Sequence, residues 1–294
     1  MKEILRKIHL KSVIFINSIT SILSIFIFSS FKLNNHIKNQ ASTPKKSQEI
    51  FILGNGPSLN SFLEKNLNKI NEKDVLVVNY FALTSYFEFL KPSFYLMLDE
   101  DIYNFNPLIY NDYNKKNYEL TSTFNKVSWN MTLFVPLKFK KSKLINLIKN
   151  ENINIIFFNS TPVKGHRMVE NFLYKTNLGM PKPETVTIPA IFLAINLKYT
   201  ILNLHGVESS WLKDLKITHD NEVIVNLPHF YKGSESIAGH STLKTLSAFL
   251  ITQANCFSSH MRLQEYSIYN SCEIYNYTPE SYIDAYKKVN LEEK

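Results

Sequence analysis

From Glu49 onward, short runs of β-branched and aromatic residues recur with helical segments between them, and this alternation restricts the fold more than any other feature. EIFILG (49–54), DVLVVNY (74–80), SFYLMLD (93–99), MTLFVPL (131–137), INIIFFN (153–159) and TILNLHG (200–206) are nearly continuous apolar runs. A strand with one wet face alternates apolar and polar residues, so continuous runs predict strands covered on both faces. The segments 59–70, 82–91, 141–150 and 187–199 repeat apolar residues at helical spacing. Together they predict an α/β fold, a Rossmann-like, mostly parallel sheet with helices on both faces. Ligands of such sheets bind outside the carboxyl ends of the strands.

After the sixth run, residues 208–238 carry no strong helical signal and read as a lid-like loop region. It holds Trp211, Tyr231, His219, Asp220 and His229, and the histidines show no metal-ligand spacing. Residues 241–270 predict one long helix or two, 271–278 a further strand, and 281–289 a closing helix. There is no internal repeat.

Ahead of the sheet pattern lies a segment of different character. Between Lys11 and Lys32 stand 20 uncharged residues, SVIFINSITSILSIFIFSSF. A helix of that length is about 30 Å long, close to the hydrocarbon thickness of a bilayer. Six serines, Thr20 and Asn17 dilute its apolar character, and no small-x-small cleavage site follows it cleanly. The segment therefore predicts a membrane anchor or interfacial helix, with a signal peptide or soluble helix as the other reading. Residues 33–48, LNNHIKNQASTPKKSQ, read as a polar linker, which divides the chain into a membrane-associated segment, 1–48, and a nucleotide-binding domain, 49–294.

Charge follows the same division. Of the formal net charge of +8, residues 1–50 hold eight basic against two acidic residues, leaving 25 basic and 23 acidic for the rest. A nucleic-acid-binding body keeps its basic surplus on the folded domain, so that class is set aside. Two cysteines, Cys256 and Cys272, make neither a disulfide framework nor a zinc site and suit a reducing compartment.

With seven glycines in the chain, their placement is informative. Gly54-Asn55-Gly56-Pro57-Ser58-Leu59 follows the first strand and opens a helix. Glycine permits a sharp turn and close approach of a ligand, Pro57 suits a first helical turn, and Ser58 or Asn60 can cap it. Such a helix start offers N–H groups to a phosphate, the alternative being an ordinary strand–helix turn. No Gly-Lys-Ser/Thr follows, and no third glycine completes a dinucleotide fingerprint. Asn79, ending the second strand, reads either as a contact to ribose or base or as a turn-forming residue. Asp99-Glu100-Asp101, ending the third, reads as a metal or sugar-hydroxyl site or as solvated charge. Gly239-His240-Ser241 sits where the long loop meets the last long helix. His240 there reads as a general base or as a capping or surface residue. No Gly-x-Ser-x-Gly elbow supports a serine hydrolase.

Taken together, IFILGNGPSL, the Asn of VVNYF, AIFLAINLKYTILNLHGVE and GHSTLKTLSAF resemble the bacterial family-42 sialyltransferases in order and separation, over about residues 49–250. The first motif is shared with other nucleotide-binding proteins, including the 6-hydroxymethylpterin pyrophosphokinase-like group; the distant Gly-His-Ser gives the resemblance its specificity. It implies inverting, metal-independent transfer of sialic acid from CMP-sialic acid, the donor substrate, with no resident cofactor and no metal site. The acceptor would be a cell-surface glycan such as a lipooligosaccharide. The nucleotide would lie over Gly54, Asn55, Gly56, Pro57 and Ser58, reached by Asn79, and His240 would be the catalytic base. Glu208 stands where the family has Asp, and Asp99 falls near a donor-binding Asn. Trp211 and Tyr231 are the nearest candidates to donate to the leaving phosphate. The implied location is the cytoplasmic face of the inner membrane, where nucleotide-sugars are made; a homo-oligomer is compatible with the sequence. The competing readings are a metal-using pyrophosphokinase relative working through Asp99 and Asp101, and a non-catalytic, membrane-associated polysaccharide assembly protein.

Overall fold

A computed structural model describes residues 2–106, 108–109, 111–226, 238–240 and 245–290, with backbone alone for 113, 226 and 238–240. The chain begins with helices α1 (Lys2–Phe28) and α2 (Leu33–Ala41). The sheet then starts with β1 (Glu49–Leu53), α3 (Ser58–Ile70), β2 (Asp74–Val78), α4 (Tyr86–Leu90) and β3 (Phe94–Leu96). It continues through α5 (Glu100–Tyr103), α6 (Asp112–Lys126), β4 (Met131–Pro136), α7 (Lys143–Leu147) and β5 (Ile153–Phe158). Helices α8 (Arg167–Lys175) and α9 (Thr187–Asn196) lead to β6 (Ile201–His205). Strands β7 (Lys216–Ile217), β8 (Val223–Asn226) and β9 (Ala238–His240) precede the 24-residue α10 (Leu246–Tyr269), and β10 (Glu273–Asn276) and β11 (Lys287–Lys288) end the fold.

Eight strands form one parallel sheet in the order β11-β10-β6-β1-β2-β3-β4-β5. All six predicted strand runs are in it, and the α/β class holds. The two-residue period of a strand explains the doubly apolar runs. Ile50 and Ile52 of β1, with Leu76 and Val78 of β2, face one core; Leu53, Val75 and Val77 face the other. The first core is roofed by α8, α9 and α10, the second by α3, α4, α6 and α7. Helix α9 is buried along all ten residues, which accounts for its lack of a polar face. Its Pro189 sits in the first turn, where a missing N–H costs little.

Several expectations need correction. Residues 281–289 do not form a closing helix. Ser281 Oγ donates to Val207 O, Lys287 pairs with Tyr275, and the Val289 N–H bonds Asn276 O, so ladder and loop bonds replace helical ones. Ile283 and Tyr286 are buried at a spacing that imitates a helix. Residues 33–48 are not a polar linker throughout, because α2 buries Leu33 and Ile37 against β5 and α9. Residues 208–238 are not all loop: β7 and β8 make a hairpin through His219-Asp220-Asn221, and β9 adds to it. Helix 82–91 is a 3-10 turn, Phe81–Leu83, followed by α4, and helix 141–150 shrinks to α7. The last long segment is one helix.

Candidate functional site

The chain adds strands outward from β1 through β5, then returns to lay β6 on the other side of β1. While the cavities of about 380 and 520 Å³ lie elsewhere, beside α1, that reversal lies at the carboxyl ends of β1 and β6, the place where such sheets take ligands. The two loops there are joined: the Gly54 N–H donates to His205 O (2.8 Å) and the Gly56 N–H to Gly206 O (2.9 Å). A Cβ on Gly54 would stand 2.2 Å from Gly206 O, so this glycine serves the contact between loops.

The start of α3 is where sequence and structure part. Neither Ser58 nor Asn60 caps the helix; Asn60 bonds Glu64 and Tyr86 instead. Glu208, 150 residues further on, does so: its Oε1 accepts the Ser58 N–H at 2.8 Å. A carboxylate is thus placed against the positive end of the helix, the position expected for a phosphate. A Cβ on Gly56 would lie 1.4 Å from Glu208 Oε2, so Gly56 leaves room for a protein carboxylate. The Glu208 backbone is itself fixed, because its carbonyl accepts the Tyr282 N–H.

Two acceptors in the loops after β1 and β6 are buried without partners, Asn55 Oδ1 and Glu208 Oε2. The Asn55 amide donates to Val78 O at 3.4 Å, tying the turn to β2. Asn79 takes the left-handed conformation, φ +48°, and its Oδ1 accepts from the Leu98 and Asp99 N–H groups. Its carbonyl accepts from Tyr95 Oη. It is a turn-former that positions the loop after β3. Asp99 caps α5 through the Asp101 N–H, and burial pushes its carboxyl above the usual range. Glu100 pairs with Lys138. Among the described residues no three His, Cys, Asp or Glu side chains gather to hold a metal ion. The unpartnered polar atoms at this switch point are therefore acceptors, which pair with hydroxyl or amino donors and not with a bare phosphate.

Trp211 packs against both the main core and a small cluster of Val223, Val225 and Phe249, and so seats the β7–β8–β9 sheet. His240 lies in β9 with its backbone paired to Ile224; its side chain and the whole of Tyr231 are outside the described residues. Sequence reasoning passed over His205. It ends β6 between the rings of Phe62 (3.6 Å) and Tyr277 (5.0 Å), and burial lowers its pKa to about 3. A histidine closing a largely apolar strand was the available signal. It is a buried core ring at the end of β6, uncharged at neutral pH.

No protein-family model and no curated protein matches the sequence.

Proposed function

We propose that this protein is a glycosyltransferase of the sialyltransferase type, using a nucleotide-sugar donor held at the carboxyl ends of β1 and β6. The observation that carries the reading is the pair of buried, unpartnered acceptors, Asn55 Oδ1 and Glu208 Oε2, at the point where the strand order reverses. A buried polar atom left unbonded costs free energy, about 1–3 kcal/mol, which a ligand supplying a donor recovers. The cytidine amino group and the ribose hydroxyls are such donors. The nucleoside end lies at Asn55 and Glu208, with the Asp99 loop held close by Asn79; the phosphate lies beyond the Glu208 carboxylate.

In this reading His240 removes the proton from the acceptor hydroxyl as that oxygen attacks the anomeric carbon. The bond from that carbon to the CMP phosphate breaks, inverting the centre, and the phosphate leaves carrying the electron pair. The acceptor is a cell-surface glycan and the site works at the cytoplasmic face of the inner membrane.

The test is a thermal-shift series with CMP, CDP, UDP and GDP, followed by transfer from CMP-sialic acid with and without EDTA. CMP should stabilise the fold most, and transfer should survive chelation. Stabilisation by a purine nucleotide, or activity abolished by EDTA, would favour the pyrophosphokinase-like alternative. Stabilisation by CMP with no transfer to any glycan would favour a binding protein.

A further inference from the structure

Helix α1 is long and apolar enough to cross a membrane, yet its polar and apolar faces are arranged for something else. The side turned toward the body is its polar side. Ser18 Oγ accepts the His166 N–H (2.8 Å), and Ser21 Oγ donates to Lys164 O (2.8 Å) and accepts the Lys164 N–H (3.0 Å). Just beyond the helix, Asn159 clasps the Ser30 backbone with both ends of its amide. The helix crosses close to the 163–166 loop: a Cβ on Gly165 would meet the Ser18 backbone at 2.8 Å. Ile25 completes the seam, 2 % exposed.

The flank that borders α8 carries an apolar stripe, interrupted at Lys11 and Ser12. Ile4, Ile8, Phe15, Ile19, Ile22 and Phe26 recur at helical spacing and all are exposed. Beside it, α8 presents Met168 and Phe172, 75 % and 63 % exposed. A cavity of about 380 Å³ lies between the two helices, walled by Ile22, Phe26, Phe31, Met168, Phe172 and Leu178. The first three turns of α1 carry Lys2, Arg6, Lys7 and Lys11 against a single acid, Glu3.

We infer that α1 lies flat in the interface of an anionic lipid bilayer, apolar stripe down, with Met168 and Phe172 entering the same layer and a lipid acyl chain filling the slot between α1 and α8. A spanning helix needs about 20 residues surrounded by hydrocarbon. Only residues 2–13 of α1 are free of the body on every side, and five of those twelve are charged. Carrying the docked half into the bilayer would take Arg167, Glu170, Lys182 and Arg262, which line the groove beside Asn17, Thr20 and Ser24, into hydrocarbon as well. An in-plane helix keeps the seam bonded and buries the stripe, and its basic turns meet anionic headgroups. This placement stands independently of the transferase reading.

The full chain is tested by co-sedimentation with vesicles of equimolar phosphatidylglycerol and phosphatidylcholine, against pure phosphatidylcholine. Binding should be stronger to the anionic vesicles. Phe15→Ser/Ile19→Ser/Phe26→Ser should weaken it about tenfold or more, and Met168→Ser/Phe172→Ser about threefold or more. These side chains are exposed, so circular dichroism should be unchanged. Cys256 and Cys272 are buried, which permits single fluorescent labels at introduced Ile8→Cys, Phe15→Cys and Phe26→Cys. Nitroxide lipids should quench all three to the same shallow depth. A graded depth with the middle label deepest, or termini reached from opposite sides, would overturn the in-plane placement. Undiminished binding by the triple variant would overturn the stripe. So would a concentration-dependent dimer that uses the stripe and ignores vesicles.

Discussion

Replacing Gly56 by alanine probes the pairing that joins the loops after β1 and β6. The new Cβ would stand 1.4 Å from Glu208 Oε2 and 2.8 Å from Gly206 O, so the carboxylate must leave. Ser58 then loses its charged hydrogen bond and α3 its anionic cap, about 1–2 kcal/mol together. Residual crowding against the Gly206 carbonyl adds about 1 kcal/mol, giving about 2–3 kcal/mol for Gly56→Ala. Glu208→Ala loses the same cap but also removes the unpartnered Oε2, and should cost about 1 kcal/mol. With the carboxylate gone, the alanine at 56 still stands 2.8 Å from the Gly206 carbonyl, so the double variant should cost about 2 kcal/mol. The coupling is then about 1–2 kcal/mol, read from urea unfolding followed by circular dichroism. Effects that add within about 0.5 kcal/mol would refute the claim that Gly56 exists to admit Glu208.

Further predictions concern acid, charge and turnover. His205 and His260 are both lowered by burial from 6.5 to about 3. Between those values the unfolded chain binds more protons than the fold, so their contribution is complete above about pH 6.5 and declines as pH falls toward 3. Each should account for roughly 2–3 kcal/mol lost by pH 4.5, and His205→Phe should remove about half of that slope in acid unfolding. Glu170 is 2 % exposed and its carboxylate meets both Arg167 and the buried Arg262. Glu170→Gln should cost about 3 kcal/mol, seen as a lower thermal midpoint, by leaving a buried guanidinium short of its counter-ion. His240→Ala should lower turnover about 10²–10⁴-fold with CMP affinity nearly unchanged; equal turnover would remove His240 from the mechanism.

The sheet was legible because continuous apolar runs have few uses in a globular domain other than strands covered on both faces. Each run that was read as a strand is one, down to the two-sided cores of β1 and β2. Helices whose sequences are polar were harder to read. Helix α6 hides Asn117, Leu120, Thr121 and Phe124 among surface residues and starts at an Asn111 side-chain cap. Helix α8 depends on the buried Glu170 and Arg262, a pairing across 92 residues. The segment 281–289 misled because burial at i and i+3 occurs both on a helix face and in a loop that dips twice into a core.

For the candidate site the division is sharper. The turn glycines and Asn79 were visible as breaks in apolar strands, since such breaks violate a local pattern. Glu208 at the start of α3, the stacked ring of His205 and the inverted polarity of α1 were not. Each depends on which distant backbone stands opposite, and a one-dimensional pattern records only neighbours along the chain. Sequence alone determined the α/β class and the runs that become β1 to β6, because apolar period and turn residues act within a few positions. The tertiary structure decided what fills the turn after β1 and which way α1 faces, because hydrogen bonds and close packing are settled between segments more than a hundred residues apart.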